Sequence, residues 1–169
     1  MLSTMLRRTT LFASVLLAAG LGCSGEHDHE HEHHPGEHKA AHGGCLNALG
    51  TCENGHVEAK LDGETLDVWF VGGGSSTDQA VRIPDAEISL SVLKKGDTEA
   101  RSLTLKACPN ELAEEKTGDC SHFRGQADWL KGLTGFTATG EVTFKGTKQA
   151  LRIEYPDGHH PDHEHHEGK

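Results

Sequence analysis

The chain has 169 residues, with 16 Lys and Arg against 26 Asp and Glu, a formal net charge of −10, and 14 histidines. So acidic a chain lacks the basic patch that nucleic acid or an anionic lipid surface requires, which leaves cations as the expected partners. The length supports one domain, because a few tens of residues at each end carry too little apolar mass to join a core.

In chain order, Arg7 and Arg8 precede an apolar run from Leu11 to Leu21 that ends in small residues before Cys23. This is the layout of a secretory signal, and the run is shorter than the about 20 apolar residues that span a bilayer. The stretch Ala19-Gly20-Leu21-Gly22-Cys23-Ser24-Gly25 resembles a bacterial lipoprotein signal, which implies removal of residues 1–22 and a lipid on Cys23. It departs from that pattern at Gly20, where leucine is preferred, so ordinary secretory cleavage among the same small residues is the alternative. The expected location is the cell envelope, in the periplasm or at the cell surface, with a lipid anchor to the membrane.

Residues 23–41 and 157–169 read as disordered arms without large apolar side chains. The first holds His27, His29, His31, His33, His34 and His38; the second holds His159, His160, His163, His165 and His166. Acids at 26, 28, 30 and 32 alternate with the first four of these histidines. In an extended chain, that alternation sets imidazoles along one edge and carboxylates along the other. Imidazole suits Zn²⁺, Cu²⁺ and Ni²⁺, and a carboxylate can complete such a site. Flexible arms imply several modest, overlapping sites that load above the imidazole pKa of about 6.5 and empty below it. The plainer reading is a pair of solvating tails, but Glu, Asp, Lys or Ser would serve solubility better than neutral histidine.

Residues 42–156 read as β throughout. Val57, Ala59 and Leu61 alternate with polar residues, Asp62-Gly63 signals a hairpin, and Leu66, Val68 and Phe70 return. After a Gly72–Ser76 loop, Ile88, Leu90 and Val92 form the next alternation, followed by a turn at Lys95-Gly96-Asp97 and by Leu103 and Leu105. Phe123, Gly125 and Ala127 follow a loop in which residues 110–116 have room for one or two helical turns. Phe136, Ala138, Gly140, Val142 and Phe144 make the longest alternation, and a Lys-Gly-Thr turn leads to Leu151, Ile153 and Tyr155. Short strands with turn signals between them predict an all-β fold, a single antiparallel β-sandwich of Ig-like or barrel-like form.

Four cysteines remain beside Cys23. An exported chain meets an oxidising compartment; four cysteines allow three pairings, and the short, turn-rich stretches they would enclose favour two local disulfides, Cys45–Cys52 and Cys108–Cys120. Neither spacing matches the C-x₂₋₄-C of a four-cysteine zinc site. Three histidines lie within the domain: His42, His56 and His122. With Glu58, which shares a strand face with His56, they form a candidate preformed metal site, against the alternative of ordinary exposed or capping histidines.

His42-Gly43-Gly44, Gly55-His56-Val57-Glu58 and Leu66-Asp67-Val68-Trp69-Phe70 together resemble the opening of small bacterial envelope β-domains that often carry histidine-rich flanks. The resemblance covers residues 42–155 and implies a sandwich associated with heavy-metal handling, beside an efflux or uptake system. This chain adds four cysteines to that pattern. The leading expectation is an envelope lipoprotein that binds divalent transition metals for buffering, delivery or efflux support. The alternative is an interaction module docking onto an envelope transporter, with incidental arms. The core lacks HxH on a strand, GxSxG, CxxC and HExxH, so an enzyme is not expected.

Overall fold

The computed structural model describes residues 38–160. Residues 1–22, Cys23, the arm histidines His27, His29, His31, His33 and His34, and the tail histidines His163, His165 and His166 lie outside the described residues.

Each alternating run becomes a strand. The strands are β1 (Cys45–Ala48), β2 (His56–Asp62), β3 (Thr65–Val71), β4 (Glu87–Lys94), β5 (Arg101–Ala107), β6 (His122–Gln126), β7 (Phe136–Phe144) and β8 (Thr147–Tyr155). They join in one antiparallel eight-stranded sheet of order β1-β2-β3-β6-β5-β4-β7-β8. Side chains alternate along a strand, so every second residue of each run points to one shared interior. Val57, Val68, Phe70, Ile88, Leu90, Leu105, Phe123, Ala138, Phe144 and Ile153 fill it. At its centre Phe70 meets Phe123 edge-on, with ring centroids 5.6 Å apart. Burying such a side chain contributes roughly 1.5–3 kcal/mol.

The sheet curls until its two edge strands almost meet, so the barrel form is realised and not two separate layers. The seam is closed by few bonds. The Ala48 amide donates to the His159 carbonyl at 2.7 Å, and the His159 amide donates to that of Leu46 at 3.3 Å. Asn47, fully buried, accepts from the Glu154 amide at 2.7 Å through Oδ1. A nearly closed sheet leaves little free edge for another chain to pair with.

The sequence reading places no strand at β1, and elsewhere local details differ by a residue or so. Asp62 pairs with Thr65, so the hairpin loop is Gly63-Glu64 and not Asp62-Gly63. Residues 110–116 supply one short 3₁₀ turn, Glu111–Ala113, capped by the Asn110 side chain. Residues 38–41 and 157–160, assigned to the arms by composition, make hydrogen bonds with the barrel. No helix among the described residues is long and apolar enough to cross a membrane.

Candidate metal centre

The site is assembled at the mouth of β2. His56 opens that strand, and Cys52 lies in the loop before it. The glycine run after β3 packs against this loop: the Gly74 amide donates to the Cys52 carbonyl at 2.9 Å. A Cβ on Gly73 would lie 2.1 Å from the Glu53 carbonyl oxygen, so this close approach requires glycine. Above it runs the segment that carries His38, tied down by hydrogen bonds in both directions between Lys39 backbone and Thr77 Oγ1.

The same glycine run sets the imidazoles. His38 Nδ1 lies 2.9 Å from the Gly74 carbonyl, and His56 Nδ1 lies 3.3 Å from that of Gly72. A carbonyl can only accept, so both Nδ1 atoms donate, and in the neutral tautomer Nε2 is the ligand atom. Such carbonyl partners commonly orient metal-bound histidines. His56 Nε2 is the buried side-chain nitrogen or oxygen without a hydrogen-bond partner among the described residues. An unmet buried polar atom is costly, and a cation would satisfy it. One ligand atom each from His38, Cys52 and His56 lies within 4.8 Å of the others. Burial, with the neighbouring His38 and His160, holds His56 below its ordinary pKa against the opposing Gly72 hydrogen bond. It is thereby kept in the neutral form that binds metal. Imidazole and thiolate together suit an ion of borderline softness.

His159 belongs to the seam through its backbone, with Nδ1 3.8 Å from Glu154 Oε1. His160 adjoins the cluster, its Nδ1 3.8 Å from Cys52 Sγ.

The other three predicted residues form a different arrangement. Glu58, fully buried, accepts from the amides of His42 and Gly44, both at 2.8 Å, and stands 2.9 Å from His42 Nδ1. A Cβ on Gly44 would lie 2.4 Å from the Ala59 carbonyl oxygen, so the His-Gly-Gly loop folds onto β2 only with glycine there. The imidazoles of His42 and His122 stack on opposite faces of Trp69, at 4.3 and 4.6 Å between centroids. His122 Nε2 contacts Asp67 Oδ1 at 2.6 Å, and Arg124 Nε donates to the same oxygen at 2.7 Å. A single site of His42, His56 and His122 with Glu58 is therefore not formed. The indole separates two of the imidazoles, three N–H groups occupy the carboxylate, and His56 faces His38 and Cys52.

The predicted disulfides Cys45–Cys52 and Cys108–Cys120 are not formed either. Cys45 turns to the seam, where its thiol faces the Glu154 carbonyl at 3.6 Å, whereas Cys52 turns to the histidines. Cys120 donates to the His122 carbonyl at 3.0 Å, and that carbonyl also accepts the Cys108 amide. Burial pushes the thiol pKa values of Cys45 and Cys120 up. Cys52, which the sequence analysis places in a disulfide, is instead a candidate ligand. The signal in the sequence is its position four residues before His56.

Fold and site define an all-β, nearly closed barrel with a buried His–Cys–His group that could hold a metal ion. Comparison of the chain with protein-family models, with curated proteins and with solved structures finds no match.

Proposed function

We propose that this chain is an exported envelope lipoprotein that binds a divalent transition metal, zinc, copper or nickel, for buffering, delivery or efflux support. In this reading the histidine-rich arms collect ions at modest affinity and the barrel site holds one more tightly. The observation that carries it is the lone pair of His56 Nε2, buried and unpartnered among the described residues, beside His38 and Cys52. The signal-like N-terminus ending at Cys23 supports the envelope location, and the resemblance at residues 42–70 supports the metal role.

The test is a Zn²⁺ titration of the mature chain against a chromophoric chelator at neutral pH. One tight ion per chain is expected above weaker ones, and Cys52→Ala is expected to lose only the tight step. Identical titrations for parent and variant would remove the barrel site from this reading. A parent that binds none of the three metals would end the reading altogether. In cells, deleting both arms is expected to lower metal tolerance; unchanged tolerance would favour a docking role for the barrel.

A further inference from the structure

Three ligands leave a tetrahedral ion one position short. A further imidazole beside the three is that of His160, on the segment that follows β8. Its Nδ1 lies 3.8 Å from Cys52 Sγ, and its ring centroid lies 6.1 Å from that of His38 and 6.0 Å from that of His56. A tetrahedral ion with bonds of about 2.1 Å to nitrogen and about 2.3 Å to sulfur sets two such ligands about 3.6 Å apart. The observed sulfur–nitrogen distance already meets that requirement. His160 stands outside the set of three that lie within 4.8 Å of one another, so its ring would turn toward the ion on binding.

We infer that His160 is the fourth ligand, so that three imidazoles and one thiolate enclose the ion. The inference rests on the metal reading above and deepens it. Each ligand has a separate origin: the end of the N-terminal arm, the β1–β2 loop, the start of β2, and the beginning of the C-terminal arm. Both arms therefore enter the barrel at one place, and the ion fastens the two ends of the chain to each other.

Two consequences follow from the chemistry. A closed tetrahedral N₃S set suits zinc, whereas Ni²⁺ and Cu²⁺ favour square-planar or tetragonal surroundings. With four protein ligands no coordination position stays open, which is the pattern of a holding site. The second consequence is mechanical. His160 directly follows His159, whose amide and carbonyl join β1 at Leu46 and Ala48. An ion bound to His160 reinforces that seam, so occupancy tightens barrel closure.

The decisive probe is Co²⁺, which takes zinc sites and reports them optically. Thiolate coordination gives a near-ultraviolet charge-transfer band, and tetrahedral geometry gives strong visible d–d absorption. The thiolate band separates the barrel site from histidines in the arms. The full mature chain is expected to show both signals. His160→Ala is expected to keep the thiolate band but to change the d–d bands in position and intensity as water takes the vacated position. It is also expected to weaken Co²⁺ binding by at least about tenfold, since outer-shell partners alone are worth about 10–100-fold. The zinc-induced rise in melting temperature should shrink with it. His160→Gln, which preserves a polar side chain, is expected to behave alike and decides the matter should the alanine variant fail to fold. A variant matching the parent in d–d intensity and affinity overturns the fourth ligand while leaving a three-ligand site standing. A parent without any thiolate band overturns the barrel site itself, and the fourth ligand with it, whatever the arms bind.

Discussion

His42 Nδ1 and Glu58 Oε2 meet at 2.9 Å, and the same carboxylate gathers the amides of His42 and Gly44. Glu58 is thus the anchor of the His-Gly-Gly loop. Glu58→Ala is expected to destabilise the barrel by about 2–3 kcal/mol, since it removes the buried charged acceptor that holds the amides of His42 and Gly44. Urea denaturation measures the loss. Glu58→Gln is expected to leave the tight zinc step intact, and a variant that abolished zinc binding while still folded would make Glu58 a ligand after all.

Acid should weaken the fold through the pair beneath Trp69. Burial pushes Asp67 up, but hydrogen bonds from Arg124 and His122 outweigh it and hold the carboxyl below its ordinary 3.8. Burial holds His122 below its ordinary 6.5, more strongly than Asp67 raises it. Lys60 lies opposite Asp67 on β2. Both groups bind protons less readily folded than unfolded, so protonation favours unfolding. The His122 share is full above about 6.5 and is lost as pH falls through its lowered folded value. The Asp67 share is full above its ordinary value and is lost at still lower pH. Stability measured by urea denaturation across pH 3–8 should fall accordingly, and Asp67→Asn should flatten the limb below about pH 4. An unchanged slope in that variant would count against the pair.

Trp69 offers an optical reading of the same histidine. An excited indole gives up electron density to a stacked, protonated imidazole, so Trp69 emission should drop as His122 takes a proton. In a Trp129→Phe, His42→Gln background, the midpoint is expected below about 6.5. Adding Asp67→Asn removes a contact that raises His122, and should move the midpoint lower. A midpoint above the ordinary histidine value would contradict the dominance of burial.

Gly73→Ala touches no ligand, yet its Cβ would meet the Glu53 carbonyl oxygen at 2.1 Å. The glycine run must then move, taking with it the carbonyls of Gly72 and Gly74 that orient His56 and His38. Zinc affinity is expected to fall by about 10–100-fold while the far-ultraviolet dichroism stays that of the parent. Unaltered affinity would show that these carbonyls do not orient the ligands.

The two-residue period of each strand is a local property, so the inward set from Val57 to Ile153 could be read before any strand was placed. Composition likewise marks the histidine-rich ends as candidate ligand-bearing segments, of which His38, His159 and His160 are among the described residues. His56 and Glu58 were correctly put on one strand face. That both would be covered, and by different partners, was not visible, because the covering segments come from other parts of the chain.

What the sequence alone determined, then, is the all-β alternation and the stock of imidazoles and thiols available to an ion. The tertiary structure decided how they are grouped. Cys52 and His160 are 108 positions apart, and Asn47 and Glu154 are 107 apart, yet each pair meets where the barrel closes. Closure depends on the curl of the whole sheet and on a few seam bonds, and no local period encodes either. The same closure turned Cys45 and Cys52 to different neighbours, which is why two cysteines seven residues apart do not pair.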